Sequence, residues 1–265
     1  MVGPSAVAAA SELDGPVSAG CGVVGTKFPA RPTPPTCCRN GETSAIAEVL
    51  TAEHGRCLGL VRGGRSRIQR PVLQPGNIVQ VAWRARLEEH LGNFTLEPLS
   101  LRAGAIIDEP FRLAGLSALA SLAQLLPERE PHQRIYDAFR VVLDQIEADD
   151  VWPALLVRWE LGLLDELGFG LDLSQCAATG TTADLAYVSP RSGKAVSRTA
   201  GEPYRDRLLL LPPFIAGGGS ATARDVIDGL KLAGYFLDRH VFGPRGLAAP
   251  EQLQWIARGL AERPH

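Results

Sequence analysis

A chain of 265 residues, 45% hydrophobic and 21% charged, can bury a sizeable core in one large domain or two ordinary ones. Its net charge of −2 argues against a uniformly basic surface, and five irregularly spaced cysteines argue against a disulfide framework, so a reducing cytoplasmic compartment is expected. No apolar run reaches the roughly 18–20 residues that span a bilayer, and Met1–Ala10 lacks the basic region of a signal peptide.

Residues 1–40 hold six of the 20 prolines and three of the five cysteines. Proline neither donates to a strand ladder nor sits inside a helix. An atypical, disordered or extended arm is expected there. From Gly41 the texture changes. Thr43–Leu50 alternates loosely and reads as a strand, Glu53-His54-Gly55 as a turn, and Cys57–Val61 as a second strand of a hairpin. Arg62-Gly63-Gly64-Arg65-Ser66-Arg67 follows as a glycine-rich loop without helix or strand period. After the turn Gln74–Asn77, Ile78–Leu87 alternates cleanly, and Asn93–Leu101 is a fourth strand. Four short strands over residues 41–103 predict a small closed or half-closed barrel.

After Ile106 the period is helical. Leu113–Leu122 makes one stripe, Ile135–Ile146 a second, and Trp152–Leu167 a third, with Pro153 in its first turn and Gly168 as its stop. Residues 169–220 read as an irregular insertion. Asp225–Val241 and Glu251–Leu260 complete the helices. The predicted fold is thus α+β and multidomain: a barrel over 41–103, then an all-helical domain over 104–265 with a loop insertion at 169–220.

Charge is distributed unevenly. Residues 54–87 contain Arg56, Arg62, Arg65, Arg67, Arg70, Arg84 and Arg86 and no Asp, Glu or Lys. That stretch carries +7, so the rest of the chain carries −9, the total of −2 less seven. Arginine forks fit phosphate oxygens and stack on bases, and neutralising phosphates releases counterions without sequence preference. These seven arginines are the predicted DNA-binding residues. The alternatives are a solvated basic face or a barrel adaptor holding an acidic partner. Trp83 and Phe94 are the only rings the barrel offers for base stacking. Trp83 shares a strand face with Val79 and Val81, which points to the core, so backbone tracking is expected to outweigh stacking.

Catalytic patterns are missing. Ser192-Gly193-Lys194-Ala195 lacks the spacing and hydroxyl of a P-loop, no G-x-S-x-G elbow occurs, and the histidines are scattered. Glu160, Asp165 and Glu166 are expected to be solvated or paired. No two C-x2-C pairs exist, so no structural zinc and no cofactor are expected.

Gly41-Glu42-Thr43-Ser44-Ala45-Ile46, Leu73-Gln74-Pro75-Gly76 and Arg158-Trp159-Glu160-Leu161 through Phe169 resemble, in order and spacing, segments of the bacterial recombination mediator family RecO. So do the run Glu53–Arg65, Cys176–Gly180 and Tyr187–Gly193; the match covers residues 41–245. The resemblance implies an N-terminal OB fold and a C-terminal helical domain. It implies binding of single- and double-stranded DNA, strand annealing, cooperation with recombination protein R, and help in loading the recombinase RecA, at the nucleoid. It further implies that the acidic C-terminal tail of single-stranded DNA-binding protein docks on the helical domain, where Lys231, Arg239 and Arg245 are candidates. Many family members hold zinc with four cysteines in the insertion; only Cys176 stands here, which implies a zinc-free branch. The family's first barrel strand would fall where Phe28–Asn40 is proline-rich. Gly22-Val23-Val24 resembles a remnant of that strand, about ten residues too far upstream. A misassigned start is one reading of residues 1–40; a barrel with an open, weakened edge is the other.

Overall fold

In the computed structural model, the residues described are 43–85, 91–217 and 219–263, together with the backbone of 21–27. Five strands make the N-terminal barrel: β1 (Cys21–Lys27), β2 (Ala45–Thr51), β3 (Gly55–Val61), β4 (Ile78–Arg84) and β5 (Asn93–Ser100). A four-residue helix, α1 (Gln69–Val72), lies between β3 and β4. The order around the closed barrel is β1-β2-β3-β5-β4. All pairings are antiparallel except β3 with β5, and β1 closes the ring by pairing with both β2 and β4. This five-stranded connectivity is that of an OB-type barrel.

The open edge expected from the sequence is therefore absent. Gly22 pairs with Leu50 and with Ile78, so the strand read as a displaced remnant does the closing. The expectation of a disordered arm fails for residues 21–27; the rest of that segment lies outside the described residues.

Alternation sets the barrel interior. Ala45, Ala47 and Val49 of β2, Val79 and Val81 of β4, and Phe94 and Leu96 of β5 point inward, joined by Val72 and Leu73. Trp83 packs at the edge of this cluster, as its shared face with Val79 and Val81 predicts.

The C-terminal domain is built on α2 (Arg102–Ala105), α3 (Pro110–Ala123), α4 (Gln133–Asp144) and α5 (Trp152–Glu166). Proline occupies the first turn of both α3 and α5, where no amide proton is needed. The α5 helix stops at Gly168, with the Phe169 amide donating to the Leu164 carbonyl at 2.8 Å.

The insertion is not irregular. It contains β6 (Leu185–Val188), β7 (Ala195–Ser197), the short helix α6 (Arg198–Gly201) and β8 (Leu209–Leu210), with the strands in a sheet of order β7-β6-β8. The helical domain thus carries a small sheet, and "all-helical" must be corrected to that extent. Then come α7 (Ala223–Leu237), a π-helical turn over Asp238–Phe242, α8 (Gly243–Arg245) and α9 (Glu251–Glu262). Thr222 and Asp225 form a reciprocal capping box at the start of α7. Trp152, Trp159, Phe139 and Phe236 fill the centre of the helical core.

The two domains share that core. Leu50, from β2, is buried among the helical-domain residues. At the start of β3, Gly55 has φ +64°, and a Cβ there would lie 1.8 Å from the Glu130 carbonyl oxygen, so only glycine lets the hairpin seat this closely.

Candidate nucleic-acid interface

The barrel register gathers three of the predicted arginines. Asn93 at the start of β5 pairs with Leu60 on one side and Arg84 on the other, which sets the end of β3 beside the end of β4. Arg62 and Arg65 follow directly from β3, and the Arg65 amide donates to the Thr43 carbonyl at 2.9 Å, tying the loop to the start of β2. Gly63 turns the chain with φ +68°.

Arg67 and Arg70 lie along the return to β4. That return is braced from both sides. The Gln69 amide donates to Ser66 Oγ at 3.2 Å, and Val72 and Leu73 are buried in the barrel core. Asn77 is fully buried; its Nδ2 donates to the Pro71 carbonyl at 2.6 Å and the Val72 carbonyl at 3.2 Å, while its Oδ1 accepts from the Ala103 amide at 3.1 Å. No helix is expected in this segment from its residue pattern, yet it carries a short one, α1, with a fixed seat.

Arg62, Arg65, Arg67, Arg70 and Arg84 are all exposed. Among the described residues no carboxylate pairs with Arg62, Arg67 or Arg70. This is a rim of cations in which, among the described residues, three have no internal carboxylate partner. Arg86 lies outside the described residues.

Arg56 does not belong to it. It sits at the far end of β3, six residues and about 20 Å of strand from Arg62. Its guanidinium pairs with Glu48, whose side chain is fully buried, and its Nε donates to the Leu126 carbonyl at 2.7 Å. The Arg129 amide donates to the Arg56 carbonyl at 2.8 Å. Arg56 is a strut between barrel and helical domain, and its assignment to DNA is corrected on that geometry.

The rings are likewise committed. Phe94 is buried in the barrel. Trp83 donates from Nε1 to the Leu91 carbonyl at 3.2 Å, and the Arg129 guanidinium covers its ring at 5.4 Å. Neither is placed as a stacking platform.

The cations predicted for an acidic tail are exposed, but each head group has an internal partner. Lys231 lies 3.5 Å from Asp228, Arg239 donates to the Pro190 carbonyl, and Arg245 donates to the Leu125 carbonyl at 3.3 Å. A groove that sequence reasoning missed runs between α4 and α5. Ile135, Val142 and Trp159 form its floor, Arg134 and Arg158 its rim, and Asp165 and Glu166 its end. Its only sequence signal is an arginine beside each apolar stripe.

Among the described residues no three His, Cys, Asp or Glu side chains come together as metal ligands. Cys176 is buried and accepts a hydrogen bond from the Ser197 amide at 3.2 Å. Donors from Ser197 and Thr179 stabilise its thiolate and pull the thiol down to about 6, against the opposing effect of burial.

Fold and rim together define a two-domain protein: a small cation-rimmed barrel fused through a shared core to a helical domain. Residues 38–101 match the family "Recombination protein O N terminal" and residues 108–247 match "Recombination protein O C terminal". The chain is 55% identical to the DNA repair protein RecO of Methylobacterium nodulans over 84% of its own length and 94% of that protein's. It is 54% identical to the DNA repair protein RecO of Rhizobium etli, over 80% and 83% of the two chains, and 50% identical to that of Methylorubrum populi, over 85% and 95%. The chain belongs to the RecO family, a family of DNA repair mediators and not of enzymes.

Proposed function

We propose that this protein binds DNA through the arginine rim of its barrel, anneals complementary single strands, and helps load a recombinase onto protein-coated single-stranded DNA. The observation that carries the reading is the exposed rim: five arginines held at one barrel end and along a braced return, of which Arg62, Arg67 and Arg70 have no carboxylate partner among the described residues, a cationic track suited to the phosphates of a flexible strand. Family membership supports the recombination setting, and work with recombination protein R is part of the proposal. We assign the acidic tail of single-stranded DNA-binding protein to the groove between α4 and α5, where an apolar floor lies beside Arg134, which has no internal partner among the described residues, and Arg158, which also donates to the Phe214 carbonyl, in preference to Lys231, Arg239 and Arg245, which stand outside that groove. The insertion is taken to work without zinc, because the Cys176 sulfur already accepts backbone and hydroxyl donors.

Strand annealing tests the reading against an adaptor that holds only an acidic protein. Two complementary oligonucleotides, one with a fluorophore and one with a quencher, should anneal at least ~10-fold faster with the protein than without. A variant carrying Arg62→Ala, Arg65→Ala, Arg67→Ala and Arg70→Ala should lose most of that acceleration while keeping its melting temperature. No acceleration by the unaltered protein would reject the reading in favour of the adaptor.

A further inference from the structure

Ile68 is 81% exposed, the most exposed large apolar side chain among the described residues. It stands at the head of α1, between Arg67 and Gln69, with Arg62, Arg65 and Arg70 exposed within six positions. Single exposed apolar side chains are ordinary on protein surfaces. This one differs in its support and its surroundings. The segment behind it is anchored by buried Val72 and Leu73 and by the three hydrogen bonds of Asn77, so the side chain is presented on a stiff mount. Around it, the described residues offer guanidinium groups and no paired carboxylate at Arg67 or Arg70.

A ligand that satisfies both features must be anionic along one edge and apolar along another. A nucleic-acid strand is such a ligand: phosphates meet the arginines, and base faces meet the aliphatic tip. Among the described residues neither aromatic ring of the barrel is free to serve as a stacking platform, since Trp83 and Phe94 are committed. We infer that Ile68 is a wedge that inserts between neighbouring bases of a bound single strand and breaks their stacking. This rests on the reading of the rim as the DNA interface and adds what the arginines alone do not give. Phosphate contacts position a strand, whereas an apolar wedge opens a base step. Splayed bases have their pairing edges free for a complementary strand.

The test uses the full chain and a single strand carrying 2-aminopurine beside adenine, whose emission rises when stacking is lost. The unaltered protein should raise emission several-fold on saturation. Ile68→Ala should remove at least two thirds of that rise and weaken binding by roughly 5-fold, the low end of the range for base–aromatic stacking, with the salt dependence of binding unchanged. Ile68→Leu should restore the rise. Melting curves should be unchanged in both, because the side chain is exposed. If Ile68→Ala keeps the full emission rise with the same salt dependence, the wedge is refuted and the arginine interface stands. If the unaltered protein shows no salt-dependent binding of the strand, while binding anionic vesicles or an acidic peptide, the interface reading and the wedge both fall.

Discussion

Arg56→Ala is expected to destabilise the protein by about 3–5 kcal/mol, the cost of leaving one partner of a buried ion pair alone. Glu48 has no exposed surface, and among the described residues its second oxygen has no partner, so the loss of Arg56 strands a buried carboxylate on the face of β2 turned away from the barrel interior. The same change removes the donor to the Leu126 carbonyl, and with it a direct link between the domains. At this chain length each kcal/mol moves the melting temperature by roughly 2–4 °C, so a fall of roughly 10 °C is predicted. Arg62→Ala or Arg67→Ala should shift it by less than about 1 °C. The double change Glu48→Leu, Arg56→Met should recover most of the loss, since paired buried charges are often replaceable by apolar side chains. Thermal melts of these four variants check the claim. Equal melting temperatures for Arg56→Ala and Arg62→Ala would refute the division of the arginines into strut and rim.

The second large effect belongs to Glu160. It lies on α5 with no exposed surface, and among the described residues neither carboxyl oxygen has a hydrogen-bond partner. Burial disfavours the charged form and pushes the carboxyl up to about 8 from 4.5. The sign follows from proton binding. Between about pH 4.5 and pH 8 the unfolded chain has released this proton and the folded protein has kept it, so stability falls as pH rises through that window. At pH 7 the loss amounts to about 3 kcal/mol, from a shift of that size at 1.36 kcal/mol per pH unit. Glu160→Gln cannot ionise. The variant and the unaltered protein should melt within a few degrees of each other near pH 5. They should diverge as pH rises, with the variant ahead by roughly 6–12 °C near pH 7. Parallel curves across the range would show that the carboxyl finds a charged or hydrogen-bonded partner in solution.

These two residues also mark where sequence reading stops. Glu160 was expected to be solvated or paired, because carboxylates are seldom buried alone. Its helix carries apolar residues on several sides, so the stripe did not reveal which face turns inward. Arg56 looked like its neighbours in composition, and nothing local distinguishes it. Its partners are Glu48, across the hairpin, and the Leu126 carbonyl, 70 residues on. By contrast, β2 to β5 were legible because period-two alternation is enforced by burial on one face. The strand β1 was obscured by its two glycines and by the prolines that follow it, since glycine weakens a strand signal and proline demotes one. The strands of the insertion are two to four residues long, too short to show any period. Ile68 escaped notice for a related reason. Its significance depends on exposure, which a sequence does not state.

The charge asymmetry was legible because it needed no partner elsewhere in the chain to be read; with Arg56 set aside, five of its arginines are exposed. The arginine spacing alone did not show that Arg62, Arg65 and Arg84 meet at one barrel end. That follows from the parallel β3–β5 pairing, which brings Leu60 and Arg84 to either side of Asn93.

The most direct test of the central claim is the salt dependence of single-stranded DNA binding, followed by fluorescence anisotropy from about 50 to 300 mM salt. Each phosphate contact contributes a slope of about 0.7 in a double-logarithmic plot. The variant lacking Arg62, Arg65, Arg67 and Arg70 should bind more weakly with a slope shallower by roughly 2–3, while Glu48→Leu, Arg56→Met keeps the original slope. Equal slopes for the four-arginine variant and the unaltered protein would mean that DNA is held elsewhere, and the assignment of the rim would be wrong.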